Sequence, residues 1–522
     1  MKRFYYLVAS VLSLGMLASC NNEDTIAAGN ENTDTTGAYL TLTLVGADNA
    51  GSRTQPGEDG TDDGEQPGES QITSALVLLC NSDGTITRAV NTSNLNITSA
   101  GVQTEPIEVS EGTYYVYVIA NPGTYAPTTS SKVSDAIIGS INESVMSGYA
   151  TDGKFIMFSE CNGTDDTPGA PITVTAANDY NHPATTENGE PIKLDRLAAK
   201  ITYDLADNVD ITAAEGQLNT LEGITFNGFK LVNGIMKTNL QQHWSAETPA
   251  ESNSAKINTL LTPTAEIGTD FYDQWSDYST ITTETGESGG TVYTAVIDRV
   301  KDAEWSDAPI FCMENNSGST AENCFAEGAD LQGNTTGVLF KATATLADEA
   351  SDEIAGENCF YAYAGTGEYF ASLEALQEAY PSIFDDNDPS TNAAAELTAA
   401  QTELRNAVAG TPAEGSDVQS VSDFRVKYLV RVFENGVMYY THYIEDQNYT
   451  AANGGDQELY HAVMRNTIYG LTVQSVKNIG DDVPGGWDPD VDPHEPIDVP
   501  TYLQVSCTVN PWVLSNYDVT LQ

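Results

Sequence analysis

AYLTLTLVG (residues 38–46) carries an alternating pattern on which the reading of the whole chain turns. Successive side chains of an extended strand point to opposite faces, so Leu40, Leu42 and Leu44 share one face and Tyr39, Thr41, Thr43 and Val45 the other. The pattern returns near the far end in TYLQVSCTVN (501–510). There Leu503, Val505, Cys507 and Val509 share a face, and Tyr502, Gln504, Ser506, Thr508 and Asn510 lie opposite. Both segments read as half-buried strands. Arg53 follows the first of them in ADNAGSRTQPGEDG (47–60). It is the sole basic residue between Arg3 and Arg88, in a Gly/Ser/Asp-rich stretch that a protease can enter.

That arrangement predicts an exchange. Cutting between Arg53 and Thr54 would let the 38–46 strand depart and open an apolar groove. Exposing three leucines at roughly 1.5–3 kcal/mol each forfeits about 5–9 kcal/mol of burial. The 501–510 segment of another copy would refill the groove, with main-chain hydrogen bonds giving affinity and side-chain pockets giving register. Because each copy both donates and accepts, the contact is head-to-tail and generates an open filament. The alternative is that both segments are ordinary strands of one closed sandwich and Arg53 is a solvated loop residue.

Other strand signals run along the chain: QITSALVLLC (71–80), TYYVYVIAN (113–121), AAKITYDL (198–205), TVYTAVI (291–297), VLFKATATL (338–346), FRVKYLVRVFENGVMYYTHYI (424–444) and NTIYGLTVQSVK (466–477). Helical periodicity is confined to Val133–Val145, Ser372–Tyr380 and Ala393–Val408. The expected fold is mainly β, a sandwich pattern with a few short helices. Residues 54–70 form an acidic Gly/Pro-rich loop without enough apolar side chains to order itself. A second Pro/Asp break (480–500) precedes the last strand. A weaker change near 181–191 divides an N-terminal sandwich (54–190) from a C-terminal one (191–522), which includes the 480–500 linker and the 501–522 donor region.

The N-terminus sets an address. MKRFYYLVASVLSLGMLASC (1–20) has two basic residues, a short apolar run and small residues before Cys20. It reads as a lipoprotein export signal too short to span a bilayer, with the Cys20 thiol as the lipid acceptor. Residues 21–53 then form a propeptide holding the removable strand.

Composition excludes several functions. The 522 residues include 21 Lys+Arg against 75 Asp+Glu, a formal net charge of −54, which repels a phosphate backbone and rules out nucleic acid. Cys80, Cys161, Cys312, Cys324, Cys359 and Cys507 lack CxxC spacing, and six cysteines leave fifteen pairings open. His182, His243, His442, His461 and His494 show no metal-ligand spacing. Gly286-Glu287-Ser288-Gly289-Gly290 matches a nucleophile elbow formally, but neither an apolar strand before it nor a helix after it supports that role. Asp488, Asp490 and Asp492 lack the glycine and distal Glu of a calcium loop. No catalytic residue, cofactor or metal is expected.

Four blocks resemble a known family: LDRLAAKITYDL (194–205), FENGVMYYTHYIEDQN (433–448), YHAVMRNTIYGLTVQSVKNIGDDVPGG (460–486), and MENNSGSTAENC (313–324) with TTGVLFKATATL (335–346). In this order behind a lipoprotein signal, the chain resembles the Bacteroidales fimbrillins, the type V pilus subunits, and particularly the minor-fimbrium (type II major fimbrial subunit) branch. The resemblance implies two transthyretin-like β-sandwich domains, acylation (palmitate) at Cys20, and export to the outer membrane. It further implies cleavage by a trypsin-like Arg-specific protease after Arg53, and polymerisation through the Thr501–Gln522 region of a neighbour. Its implied partners are other copies of the chain, anchor and tip fimbrial subunits, and a host or bacterial surface ligand that the sequence does not identify. Possession of both a cleavable strand and a donor strand implies a stalk subunit. The competing expectation is a monomeric lipid-anchored adhesin or glycan-binding protein that keeps its first strand; a polysaccharide hydrolase is a weaker third.

Overall fold

The computed structural model describes residues 37–46 and, with interruptions at 99–100, 150–153, 160–168, 248–256, 268, 275–281, 286–290, 295–304, 318–329, 365, 386–389, 447–460, 485–493, 495 and 498–501, residues 68–511. Cys20, Arg53 and Thr54 lie outside the described residues. The chain is mainly β. Numbering the principal strands in chain order, the N-terminal domain holds β1 (Ala38–Leu40), β2 (Thr43–Gly46), β3 (Ala75–Cys80), β4 (Ile86–Thr92), β5 (Leu95–Thr98), β6 (Gly101–Thr104), β7 (Ile107–Val109), β8 (Gly112–Ala120), β9 (Met157–Phe158), β10 (Ala170–Val174) and β11 (Ile192–Arg196). A short helix, α1 (Glu143–Tyr149), lies among them.

The larger sheet runs β4-β3-β8-β9-β11-β2-β6-β5, with β10 also paired to β8, while β1 pairs with β7. Strand β3 is buried at all six positions, which fits its continuous apolar run ALVLLC between two neighbours. The 38–46 segment is two strands rather than one, because Thr41 leaves the ladder to bond Thr104. The N-terminal sheet also extends past residue 190. Strand β11, assigned by sequence to the second domain, pairs with β9 and β2, so the join falls at Leu197.

The C-terminal domain follows at once with β12 (Ala198–Asp210), then α2 (Thr212–Gln217), β13 (Leu221–Val232), β14 (Ile310–Met313) and β15 (Gly337–Leu346). After an insertion come β19 (Val437–Tyr443), β20 (Thr467–Val476) and β21 (Leu503–Pro511). One sheet runs β14-β12-β20-β21 and the other β13-β15-β19. They face each other through Tyr203 of β12, whose ring lies 5.3 Å from those of Phe229 and Phe340 on the opposing sheet.

The insertion comprises β16 (Phe360–Tyr363), β17 (Glu368–Phe370), α3 (Leu373–Ala379), α4 (Ala393–Val408), α5 (Val421–Tyr428) and β18 (Val430–Phe433). It has its own core of Tyr361, Leu373, Leu376, Leu404, Phe424, Val430 and Val432. Side-chain caps from Ser372 and Asn392 start α3 and α4 close to where the sequence places helices. The stretch at 424–428 is helical instead of extended. A Ser420/Asp423 capping box starts α5, the tilted rings of Phe424 and Tyr428 pack one turn apart at 4.8 Å, and Leu429 stops the helix in the left-handed region. The expected helix at 133–145 is likewise broken. Val133–Asp135 makes a single turn, Ile137–Ile138 pairs with Thr238–Asn239, Ser140 takes a positive φ, and helix resumes only at Glu143 in α1.

Candidate assembly site

The first strand is bound on every side. Leu40, Leu42 and Leu44 are at most 1% exposed, so this face is fully buried and not merely covered. On its backbone, Tyr39 N–H donates to Asn178 O (2.8 Å), Ala184 N–H to Tyr39 O (2.8 Å) and Thr41 N–H to Ala184 O (2.8 Å). Strand β2 lies between β6, antiparallel with Leu44 opposite Val102, and β11, parallel with Leu44 opposite Ile192. Where β1 gives way to β2, the buried Thr41 hydroxyl donates to Thr104 O (2.8 Å), and Leu42 N–H donates to the Thr104 hydroxyl (3.0 Å). Gly101, at φ +130°, brings β6 against this segment. A Cβ there would stand 2.5 Å from Leu44 O, so the close approach requires glycine.

The tail strand sits elsewhere. Strand β21 is the outermost strand of its sheet, antiparallel to β20 from Val476 opposite Leu503 to Thr467 opposite Pro511. Its apolar face is turned to the core as the alternation predicts, but Leu503, Val505, Cys507 and Val509 are only half-buried. The two segments therefore share a pattern and differ in depth: one is central and closed over, the other an edge. Burial pushes the Cys507 thiol up to about 12. The other described cysteines, Cys80, Cys312 and Cys359, are buried free thiols.

Three polar fastenings frame these strands, and none stands out in the sequence. At the domain join, Lys200 Nζ lies 2.9 Å from Glu69 Oε1, and Arg196 donates to Glu69 O (3.1 Å) and the Ser70 hydroxyl (3.2 Å). Arg196 and Lys200 are at most 1% exposed. This pins the end of the 54–70 loop, which the sequence reads as lacking the means to order itself, because Glu69 and Ser70 find buried cationic partners there. At the root of the tail, Asp482 is held by Arg431 (2.9 Å) and Arg425 (2.7 Å), and Asp481 by Arg431 (2.7 Å). Tyr439 and Asp481 exchange backbone hydrogen bonds at 2.8 and 2.9 Å. The inserted unit thereby grips the chain where the linker begins. Farther along, Ile497 N–H donates to Asp330 O (3.1 Å) above His461. The Asp330 carboxylate lies 2.9 Å from His461 Nδ1, and Glu445 3.6 Å from Nε2. Burial opposes a charge on His461, yet these carboxylates outweigh it and raise the imidazole to about 9. At neighbouring His442 burial outweighs the attraction of Glu445 and lowers the imidazole to about 4.

Among the described residues no group of three His, Cys, Asp or Glu could hold a metal ion, and no helix is long and apolar enough to cross a membrane. The only clue to these fastenings in the sequence is the Asp481-Asp482 pair, whose partners lie 50 or more residues away along the chain.

Comparison with known proteins gives two family matches. Residues 38–196 match the model described as major fimbrial subunit protein (FimA), and residues 431–518 match that described as major fimbrial subunit protein type IV, fimbrillin, C-terminal. The first ends at the last residue of β11. Among solved structures, a fimbrilin (fimA) from Porphyromonas gingivalis W83 is similar at 14% identity and a TM-score of 0.42, covering 92% of this chain and 99% of that one. The tip fimbrial protein Mfa3 from Porphyromonas gingivalis, truncated at its C-terminus, is similar at 12% identity and a TM-score of 0.29, covering 91% and 99%. No curated protein sequence matches.

Proposed function

We propose a mode of assembly for this chain, which is a fimbrillin-type structural subunit of a cell-surface fimbrium and not an enzyme. It is exported as a lipoprotein acylated at Cys20 and processed between Arg53 and Thr54 by an Arg-specific protease. It then polymerises by donor-strand exchange as a stalk subunit. In the exchange, the strand bearing Leu40, Leu42 and Leu44 leaves with the propeptide, and the Leu503–Val509 strand of a neighbouring copy takes its place. Anchor and tip subunits close the two ends of the polymer.

The observation that carries this reading is the contrast in depth. A fully buried segment precedes the processing arginine by a few residues, so losing it leaves a deep vacancy that only a strand can fill. An edge strand with a matching apolar face hangs from a gripped root and can peel away while the root stays in place. The test is the fate of the arginine and the tail. Arg53→Ala and deletion of 501–522 should each abolish sodium dodecyl sulfate-resistant ladders while the monomer stays folded. Surface-sheared fimbriae should begin at Thr54. Fibres of normal yield from Arg53→Ala, or an acylated Cys20 inside the fibres, would overturn the reading in favour of a lipid-anchored monomeric adhesin.

A further inference from the structure

Resting on that reading, we propose the register of the exchange: Val505, Cys507 and Val509 of the incoming strand occupy the sites of Leu40, Leu42 and Leu44, and Ser506 is the residue that selects this frame by bonding Thr104. The period of two leaves several frames open, since any even shift keeps the apolar face inward. The polar spot in the groove breaks the tie.

Thr41 is only 6% exposed, yet its hydroxyl donates to Thr104 O at 2.8 Å, and the Thr104 hydroxyl accepts from Leu42 N–H at 3.0 Å. Whatever replaces Thr41 must be small and bring a hydroxyl, because a buried polar group left without a partner is costly. With Val505 at the Leu40 site, Ser506 falls on Thr41 and Thr508 falls on Thr43, which conserves a hydroxyl at both positions. Shifting by two residues one way puts Leu503 at Leu40 and forces the longer Gln504 into the Thr41 site. Shifting the other way puts Thr508 at Thr41 but Pro511 at Leu44, between β6 and β11, where a strand flanked on both sides needs the N–H that proline lacks.

The central frame replaces three leucines by the smaller Val505, Cys507 and Val509 and sets Leu503 at Ala38, itself 1% exposed, so packing opposes it and the hydroxyl match must outweigh that cost. Strand direction is kept, because β11 presents its backbone for a parallel neighbour and β6 for an antiparallel one, and the two hydrogen-bond patterns differ.

Val102 reads the frame directly, since Leu44 lies opposite it. In filaments of full-length protein carrying Val102→Cys, Val509→Cys and Cys507→Ser, mild oxidation should link neighbouring subunits. A link through native Cys507 in Val102→Cys alone, or through Pro511→Cys, would overturn the frame. A link through Val505→Cys would overturn the direction. A second measurement addresses Ser506: Ser506→Val should lower polymer yield roughly tenfold, as expected for a buried carbonyl left unpaired at Thr104. Ser506→Thr, which keeps the hydroxyl, should retain the yield. Full yield from Ser506→Val, or an equal loss from Ser506→Thr, would refute selection by Thr104. If ladders persist after deletion of 501–522, the exchange itself fails; if they vanish and the Val509–Val102 link is absent, only the register fails.

Discussion

Emptying the groove is the sharpest perturbation the structure offers. Take a chain that lacks 501–522, cleave it after Arg53, and strip the propeptide with mild denaturant. Leu40, Leu42 and Leu44 are at most 1% exposed, so their loss removes about 5–9 kcal/mol of burial. The backbone bonds of Tyr39, Thr41, Leu42, Thr104 and Ala184 go with them, each worth roughly 0.5–1.5 kcal/mol net. A domain is held by only about 5–15 kcal/mol in all, so the emptied N-terminal domain should open. Hydrogen exchange is the assay. Amides of β6 and β11 should lose protection while those of β13 and β15 keep theirs, because that sheet makes none of the lost contacts and does not pair with the deleted tail strand. A synthetic 501–522 peptide should restore protection, and the same peptide with Val505→Asp and Val509→Asp should not. The reasoning is refuted if the stripped protein keeps its protection, or if the doubly charged peptide restores it as well as the native one.

Further outcomes follow from the fastenings. Lys200→Met should destabilise the chain by about 3–5 kcal/mol by leaving Glu69 buried without its ion-pair partner, and the double variant Glu69→Leu/Lys200→Met should recover most of that in thermal melts. Gly101→Val should impair folding of the N-terminal domain, seen as lost soluble expression, since φ +130° and the 2.5 Å approach to Leu44 O exclude a side chain. The two histidines give opposite pH slopes. His461, raised to about 9 from 6.5, contributes stability that is fully present below about 6.5 and lost as pH rises through 9. His461→Gln should therefore flatten that limb, a change on the order of 3 kcal/mol at most. His442 is lowered to about 4 from 6.5, so the unfolded chain gains a proton first and stability falls as pH drops from 6.5 toward 4; His442→Gln should flatten the acid limb in pH-dependent melts.

The mainly β character and most strands of the two domains were legible from alternation, because period-two patterning is a local property. The faces of 38–46 and 501–510 were largely legible for the same reason, but Thr41 is buried and Tyr502 packs against the core although the alternation sets both on the outer face. Depth was not. Leu44 and Val505 sit in equivalent local patterns, yet only pairing with strands about 60 and 150 residues away makes the first central, and only β20 makes the second an edge. Residues 424–428 misled because alternating apolar and charged side chains suit a strand as well as one face of a helix, and the Ser420 cap four residues earlier decided between them. The sequence sets β11 in the second unit because a loop rich in Asn, Pro and Gly lies before it, whereas its pairing with β9 and β2 puts it in the N-terminal sheet.

By itself the sequence determined the acidic charge, the β class, and the two stripes of alternating apolar side chains. Those depend on residue chemistry and on neighbours one or two positions away. Tertiary structure alone decided which stripe is sealed and which lies at an edge, that Thr104 marks the groove with a buried hydroxyl, and that Arg425 and Arg431 grip the root of the tail. Such features arise where segments remote in sequence exclude water together, and a buried charge or hydroxyl is tolerated only where the fold brings it a partner.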